Sequence, residues 1–179
     1  PINISSYINT YTVIYGSHMD FFDELTELAL GSRLKRLSER FISEASEIYQ
    51  HFGLDIQPKW FTLLALLHKQ KQLSVVEAAG YLGLSQPAVT QFCQQLTQRK
   101  LIDFVVCPKD ARRRLITLTK TGQQSVVAML PIWQAVQQAA EEVSREEQSD
   151  LYAAIIKCES ALKRKSLKQR TIEAYHEQA

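Results

Sequence analysis

The sequence predicts a mainly α protein carrying one small β-hairpin, and three observations lead there. Apolar residues recur every three to four positions over most of the 179-residue chain. Helix-capping residues punctuate these stripes at Ser74, Ser85, Thr119 and Ser144. Only between Leu101 and Leu118 does the texture become β-rich, on either side of a charged segment that begins at Pro108.

Taken in order, residues 1–18 stand apart. Gly16-Ser17-His18-Met19 matches the remnant of a cleavable tag joined to an initiator Met19, and the uncharged stretch before it is unlike the rest of the chain, so 1–18 is set aside as tag-derived. Residues 19–57 form an N-terminal helical region. Leu34, Leu37, Phe41, Ala45, Ile48 and Phe52 lie on one face of a long helix from Leu25 to Phe52, which Gly53 ends. So long a stripe is poorly covered by so short a chain, so part of it is expected to meet another subunit.

A second helix starts at Pro58 and passes through Trp60, Leu63, Leu64 and Leu67 to about Gln70. Ser74-Val75-Val76-Glu77 is a capping box that opens a short third helix, broken by Gly83. Ser85 caps a fourth, with Pro87 in its first turn, running to Arg99. Residues 102–107 and 115–118 then flank a charged tip at 108–113. Thr119 opens a long helix through Val126, Leu130, Trp133, Val136 and Val143, with a kink expected at Pro131. Ser144-Arg145-Glu146-Glu147 reads as a second capping box, opening a last helix with the stripe Leu151, Ile155, Cys158 and Leu162. The tail after Lys163 is basic and weakly patterned.

Composition narrows the function classes. A hydrophobic fraction of 45% and a charged fraction of 22% are ordinary for a globular protein. No apolar run approaches the ~20 residues that span a bilayer, and no signal peptide stands out, so a cytoplasmic protein without a membrane partner is expected. Cys93, Cys107 and Cys158 are irregularly spaced and read as reduced, buried thiols; sensing through Cys93 is the alternative. His51 and His68 lack neighbours at metal-ligand spacing, although Glu24, Glu27 or Glu47 could join them in space. No nucleophile triad, phosphate loop or carboxylate pair appears, so neither catalysis nor a cofactor or metal is expected.

The net charge of +2 hides an asymmetry: from Ser85 to Gly122 seven basic residues face two acidic ones, whereas Asp20–Trp60 holds eight acidic and five basic. On charge alone the basic segment fits a polyanion-binding surface and a solvated face equally well. Its setting adds more. Ala79 at the close contact, Gly83 in the turn, and Leu82, Leu84, Val89 and Phe92 as shared core have the spacing of a helix-turn-helix. In the second helix of that pair, Val89, Phe92, Cys93 and Leu96 form the inner stripe, leaving Gln86, Thr90, Gln91 and Gln94 outside. Glutamine amides pair with adenine edges and a threonine methyl meets a thymine methyl, though a solvated polar face reads the same way. The hairpin tips the balance. Asp110, Arg112, Arg113 and Arg114 at a turn offer guanidinium groups to a minor groove and its phosphates, with Asp110 pairing the Arg112 guanidinium.

At these residues the chain resembles the MarR family. Ser74–Gly122 is similar to that family's winged helix-turn-helix, and Asp110–Gly122 follows its wing signature throughout; the general layout extends from Phe21 to Leu167. The resemblance implies a winged helix-turn-helix flanked by long dimerisation helices: a DNA-binding lobe at 58–122 and C-terminal dimerisation helices with a basic tail at 123–179. It implies a homodimeric transcription regulator, a repressor or activator, on double-stranded DNA with a pseudo-palindromic operator. Ser85, Gln86, Pro87, Thr90 and Gln91 match its recognition helix, and Asp110 and Arg112 its wing. It also implies a small-molecule effector, for which Arg33, Trp60, His68 and Trp133 are the candidate pocket residues, against the plainer reading of the aromatics as core. Leu30–Leu37 and Pro58–Phe61 are similar to members in which this domain precedes an acetyltransferase, so the alternative is the regulatory half of such an enzyme. No glycine pair of a CoA-binding loop is present. A winged helix that binds protein instead of DNA is the third reading.

Overall fold

The computed structural model describes residues 20–178; the segment 1–18, expected to be tag-derived, lies outside the described residues, as do Met19 and Ala179. Helix α1 (Phe21–Leu25) is capped by Asp20, whose carboxylate accepts from Phe22 N at 3.1 Å. A 3-10 turn (Thr26–Ala29) leads into α2 (Leu30–His51). The long first helix expected from Leu25 therefore starts at Leu30. Thr26, at φ +49°, breaks the helical path, and ion pairs Arg33–Asp23 and Arg36–Asp20 tie α1 to α2.

A 3-10 turn (Pro58–Trp60) precedes α3 (Phe61–Gln70), followed by strand β1 (Gln72–Leu73), α4 (Val75–Leu82) and α5 (Gln86–Gln98). Strands β2 (Ile102–Cys107) and β3 (Asp110–Leu118) complete a three-stranded sheet of order β1-β3-β2. The sequence pattern missed β1, because two residues are too short for any alternation to register. Its pairing is antiparallel, Gln72 with Thr117 and Leu73 with Ile116.

Helix α6 (Lys120–Arg145) starts at Thr119 as expected, and its helical run continues through Pro131. A 3-10 turn (Glu146–Gln148) separates it from α7 (Leu151–Arg164), and α8 (Leu167–Gln178) closes the described chain. Two C-terminal expectations are corrected here. The Ser144 capping box does not form, since α6 continues to Arg145; α7 is capped instead by Asp150, which accepts from Ala153 N at 2.9 Å. The tail that reads as weakly patterned is mostly the helix α8, whose Arg170 donates to the carbonyls of Lys165 and Ala161 at the end of α7.

The described residues divide into one unit of 20–95 with 104–117 and another of 96–103 with 118–178. In the first, Trp60, Leu63, Leu64, Leu67, Ala78, Ala79, Val89, Cys93 and Ile116 are buried, and α3 packs against α4 and β1. In the second, Leu96, Leu101, Ile102, Val126 and Met129 are buried. Here Thr119 Oγ1 donates to Lys100 O at 2.6 Å and accepts from Gly122 N at 3.0 Å. A Cβ on Gly122 would fall 1.9 Å from the Leu101 carbonyl oxygen, so no other residue fits that approach. The Thr119–Gly122 end of the wing signature is thus a backbone joint.

Candidate nucleic-acid interface

Every sequence-predicted nucleic-acid position lies in the first unit. It starts at the capping box. Ser74 Oγ accepts from Glu77 N at 3.2 Å, and Glu77 Oε2 accepts from Ser74 N at 2.8 Å and from the Ser74 hydroxyl at 2.6 Å. These bonds, with the Arg113 guanidinium behind them, hold the Glu77 carboxyl below the usual range. Helix α4 ends at Gly83 in the left-handed region, φ +64° and ψ +27°, a conformation that side-chain-bearing residues adopt only at a cost in local strain. That turn aims α5.

Helix α5 divides as the sequence predicts. Ser85 Oγ accepts from Ala88 N at 3.4 Å, Pro87 stands in the first turn, and Val89, Cys93 and Leu96 are fully buried. Phe92 is half-buried, and Leu84, expected in the shared core, is exposed: it follows Gly83 outside both helices. Gln86, Pro87, Thr90, Gln91 and Gln94 are exposed together. The Thr90 hydroxyl donates to Gln86 O at 2.9 Å within the helix, while the residue itself stays exposed.

One glutamine of the run is not available. Gln95 Oε1 accepts from Trp60 Nε1 at 2.9 Å, which pins Gln95 inward and makes the Trp60 indole part of the core. The sequence carries no sign of this bond, since the partners stand 35 positions apart. Of the other pocket candidates, Arg33 is engaged by Asp23, and His68 and Trp133 are half-buried.

The wing differs from expectation in two ways. The turn is only Pro108-Lys109, so Arg112, Arg113 and Arg114 lie within β3 instead of at its tip. Strand alternation then puts Arg112 and Arg114 on one face and Arg113 on the other. Second, Asp110 Oδ1 accepts from Arg112 N at 3.0 Å, so the bond goes to the backbone and not to the guanidinium. An aspartate reaches the amide two residues on with little cost in order, and the pairing shapes the strand start. Arg113 Nη2 pairs with Glu77 Oε1 at 3.2 Å. Arg112 and Arg114 have no carboxylate partner among the described residues.

The cysteines separate by environment. Cys93 is buried and its thiol is pushed up to about 11 by desolvation, Cys107 is half-buried, and Cys158, expected in a core, is exposed on α7. Among the described residues no three His, Cys, Asp or Glu side chains gather as a metal site, and no helix is long and apolar enough to cross a membrane.

This geometry has close counterparts. The sequence pattern of the MarR family matches residues 54–113, from the segment before α3 to the middle of β3. MepR of S. aureus, solved as a DNA complex, is 27% identical with a TM-score of 0.63, over 74% of this chain and 97% of its own. The transcriptional repressor CouR, bound to a DNA duplex, is 22% identical with a TM-score of 0.63, over 82% of this chain and 99% of its own. BpsR of Bordetella bronchiseptica, whose DNA binding is regulated by 6-hydroxynicotinic acid, is 24% identical with a TM-score of 0.55, over 75% of this chain and 98% of its own.

Proposed function

We propose that the chain is a member of the MarR family, a sequence-specific transcription regulator binding a pseudo-palindromic DNA site as a homodimer. The observation that carries this reading is the pairing of one exposed polar helix face with one exposed cationic strand face. Gln86, Thr90, Gln91 and Gln94 on α5 are short or amide-bearing groups suited to base edges, entered through Ser85 and Pro87 at the helix start. Arg112 and Arg114 supply unpaired charge from β3 for the minor groove and its phosphates. Asp110 shapes the strand that presents them.

In this reading residues 58–122 are the DNA-binding lobe, while 19–57 and 123–179 supply the dimerisation helices, with half-sites about one helical turn apart. BpsR's DNA binding is regulated by 6-hydroxynicotinic acid; an effector of this chain acts by binding two arrangements of the protein with different affinity. At Arg33 or Trp60 it must compete with Asp23 or Gln95 for the same polar atoms; His68 and Trp133 are the other two effector candidates. No residue is assigned a catalytic role, and the protein acts in the compartment that holds DNA.

The test is selection of bound sites from random duplex DNA, followed by affinity against salt. A recovered palindrome with affinity falling steeply as salt rises is expected. Arg112→Ala should weaken that binding by ~1–3 kcal/mol while the dimer stays intact. Unchanged affinity in that variant would remove the wing from the interface, and the absence of any consensus would remove the operator reading.

A further inference from the structure

The three wing arginines are chemically alike in the sequence, yet the structure treats one of them differently. In the β1–β3 ladder Gln72 faces Thr117 and Leu73 faces Ile116. Continued one residue at a time, that antiparallel register runs from Leu73 towards the start of α4 as β3 runs back from Ile116 towards Arg113. At Ser74 the chain leaves the sheet and becomes a helix. β1 thus pairs with β3 only at Ile116 and Thr117, and farther out along β3 Arg113 reaches Glu77 in the first turn of α4.

Glu77 divides its two oxygens between two tasks. Oε2 closes the capping box with the Ser74 amide and hydroxyl, while Oε1 takes the Arg113 guanidinium. The box thus fixes the carboxylate before the wing reaches it, so the pair loses less side-chain freedom than two loose surface groups would. Strand alternation meanwhile directs Arg112 and Arg114 away from Glu77.

We propose that Arg113 is a positioning residue and not a DNA contact: with Glu77 it forms a strut that sets the wing against the helix-turn-helix, so that Arg112 and Arg114 meet the duplex in register with α5. This rests on the DNA-binding reading above and narrows it, since one of the three wing charges is withdrawn from the phosphate interface.

The test is a double-mutant cycle on the full chain with the selected duplex, using Glu77→Gln and Arg113→Gln. Glutamine at 77 still accepts from the Ser74 amide, so the cap survives and only the charge goes. Each single variant is expected to weaken binding by roughly two- to five-fold, the range of an ordered surface pair, and the double variant by no more than either. The slope of log affinity against log salt should stay unchanged in all three, whereas Arg112→Gln or Arg114→Gln lowers it by about 0.9. Backbone amides of 111–114 in the free protein should exchange faster in both single variants, a readout that needs no DNA.

A direct phosphate contact predicts the opposite pattern. Arg113→Gln would then cut the salt slope by about 0.9, Glu77→Gln would tighten binding by removing a negative charge, and the double variant would be additive. Any of these results, or unchanged exchange at 111–114, overturns the strut. Should the unsubstituted chain bind no duplex, the operator reading fails on its own, and amide exchange alone then decides whether the wing is tied to Glu77.

Discussion

The helix-turn-helix and helix α7 carry apolar stripes of similar quality, but they end in opposite environments. In the core beneath the first, Val89 and Cys93 of α5, Leu63 and Leu67 of α3 and Ile116 of β3 are all 0% exposed within the single chain. In the second, Ile155 is 37%, Ile156 46% and Leu162 50% exposed, and no residue of α7 is buried. Helix α8 extends the contrast with Leu167 and Ile172 exposed. The helix-turn-helix and the helix and strand packed on it complete their own core, whereas helices α7 and α8 carry apolar side chains that one copy leaves exposed. A contiguous exposed apolar patch marks an association site, and Ile155 and Leu162 share one face of α7. It fits the second copy that the operator reading requires.

That contrast can be broken most forcefully inside the lobe. Leu67→Ala removes a fully buried side chain from α3, where the chain alone must fill the space, and should destabilise the protein by about 2–5 kcal/mol in denaturant titration. A loss under 1 kcal/mol would mean that the lobe does not own its core. A smaller effect on folding but a large one on assembly is expected from Ile155→Asp with Leu162→Asp. Each apolar side chain fully covered by a partner is worth ~1.5–3 kcal/mol, so dimer dissociation should shift by roughly 100-fold or more. Sedimentation velocity would read this while circular dichroism confirms that the helices persist. A dimer that ignores both charges would place the second copy elsewhere.

The mildest probe is chemical. Cys93, with its thiol near 11, has roughly a hundredfold less thiolate at pH 8 than an ordinary cysteine, so thiol reagents should miss it until the lobe unfolds. Cys158 shares the α7 face with Ile155 and Leu162 and is exposed in the single chain. Its labelling should slow as concentration drives the dimer together. Equal rates at both cysteines would erase the difference between the two regions.

Much of this molecule was legible before any coordinates. The Ser74 box, Gly83, Ser85 and Thr119 each work locally, within three or four residues, and the structure places all of them where the pattern does. The polar face of α5 follows from helical period alone. What failed also has a common cause. Ser144 has the letters of a cap but stays inside α6, because Asp150 offers the better start six residues on. Leu84 looks like core by spacing, yet the turn at Gly83 carries it to the surface. The hairpin tip is shorter than the pattern implies, since the arginines have no strong strand preference and only pairing with β2 extends β3 to Asp110.

The sequence by itself determined the mainly α class, the order of the helices, the hairpin, and the basic, glutamine-rich character of one surface. Those properties depend on periodicity and on short-range capping, both of which are written in neighbouring residues. Tertiary structure alone decided which of several identical side chains is available. Gln95 is held by Trp60 while Gln91 and Gln94 are free to meet solvent, and Arg113 is held by Glu77 while Arg112 and Arg114 are not. The partners are 35 and 36 positions away, and only the folded chain brings their donors and acceptors within hydrogen-bond reach.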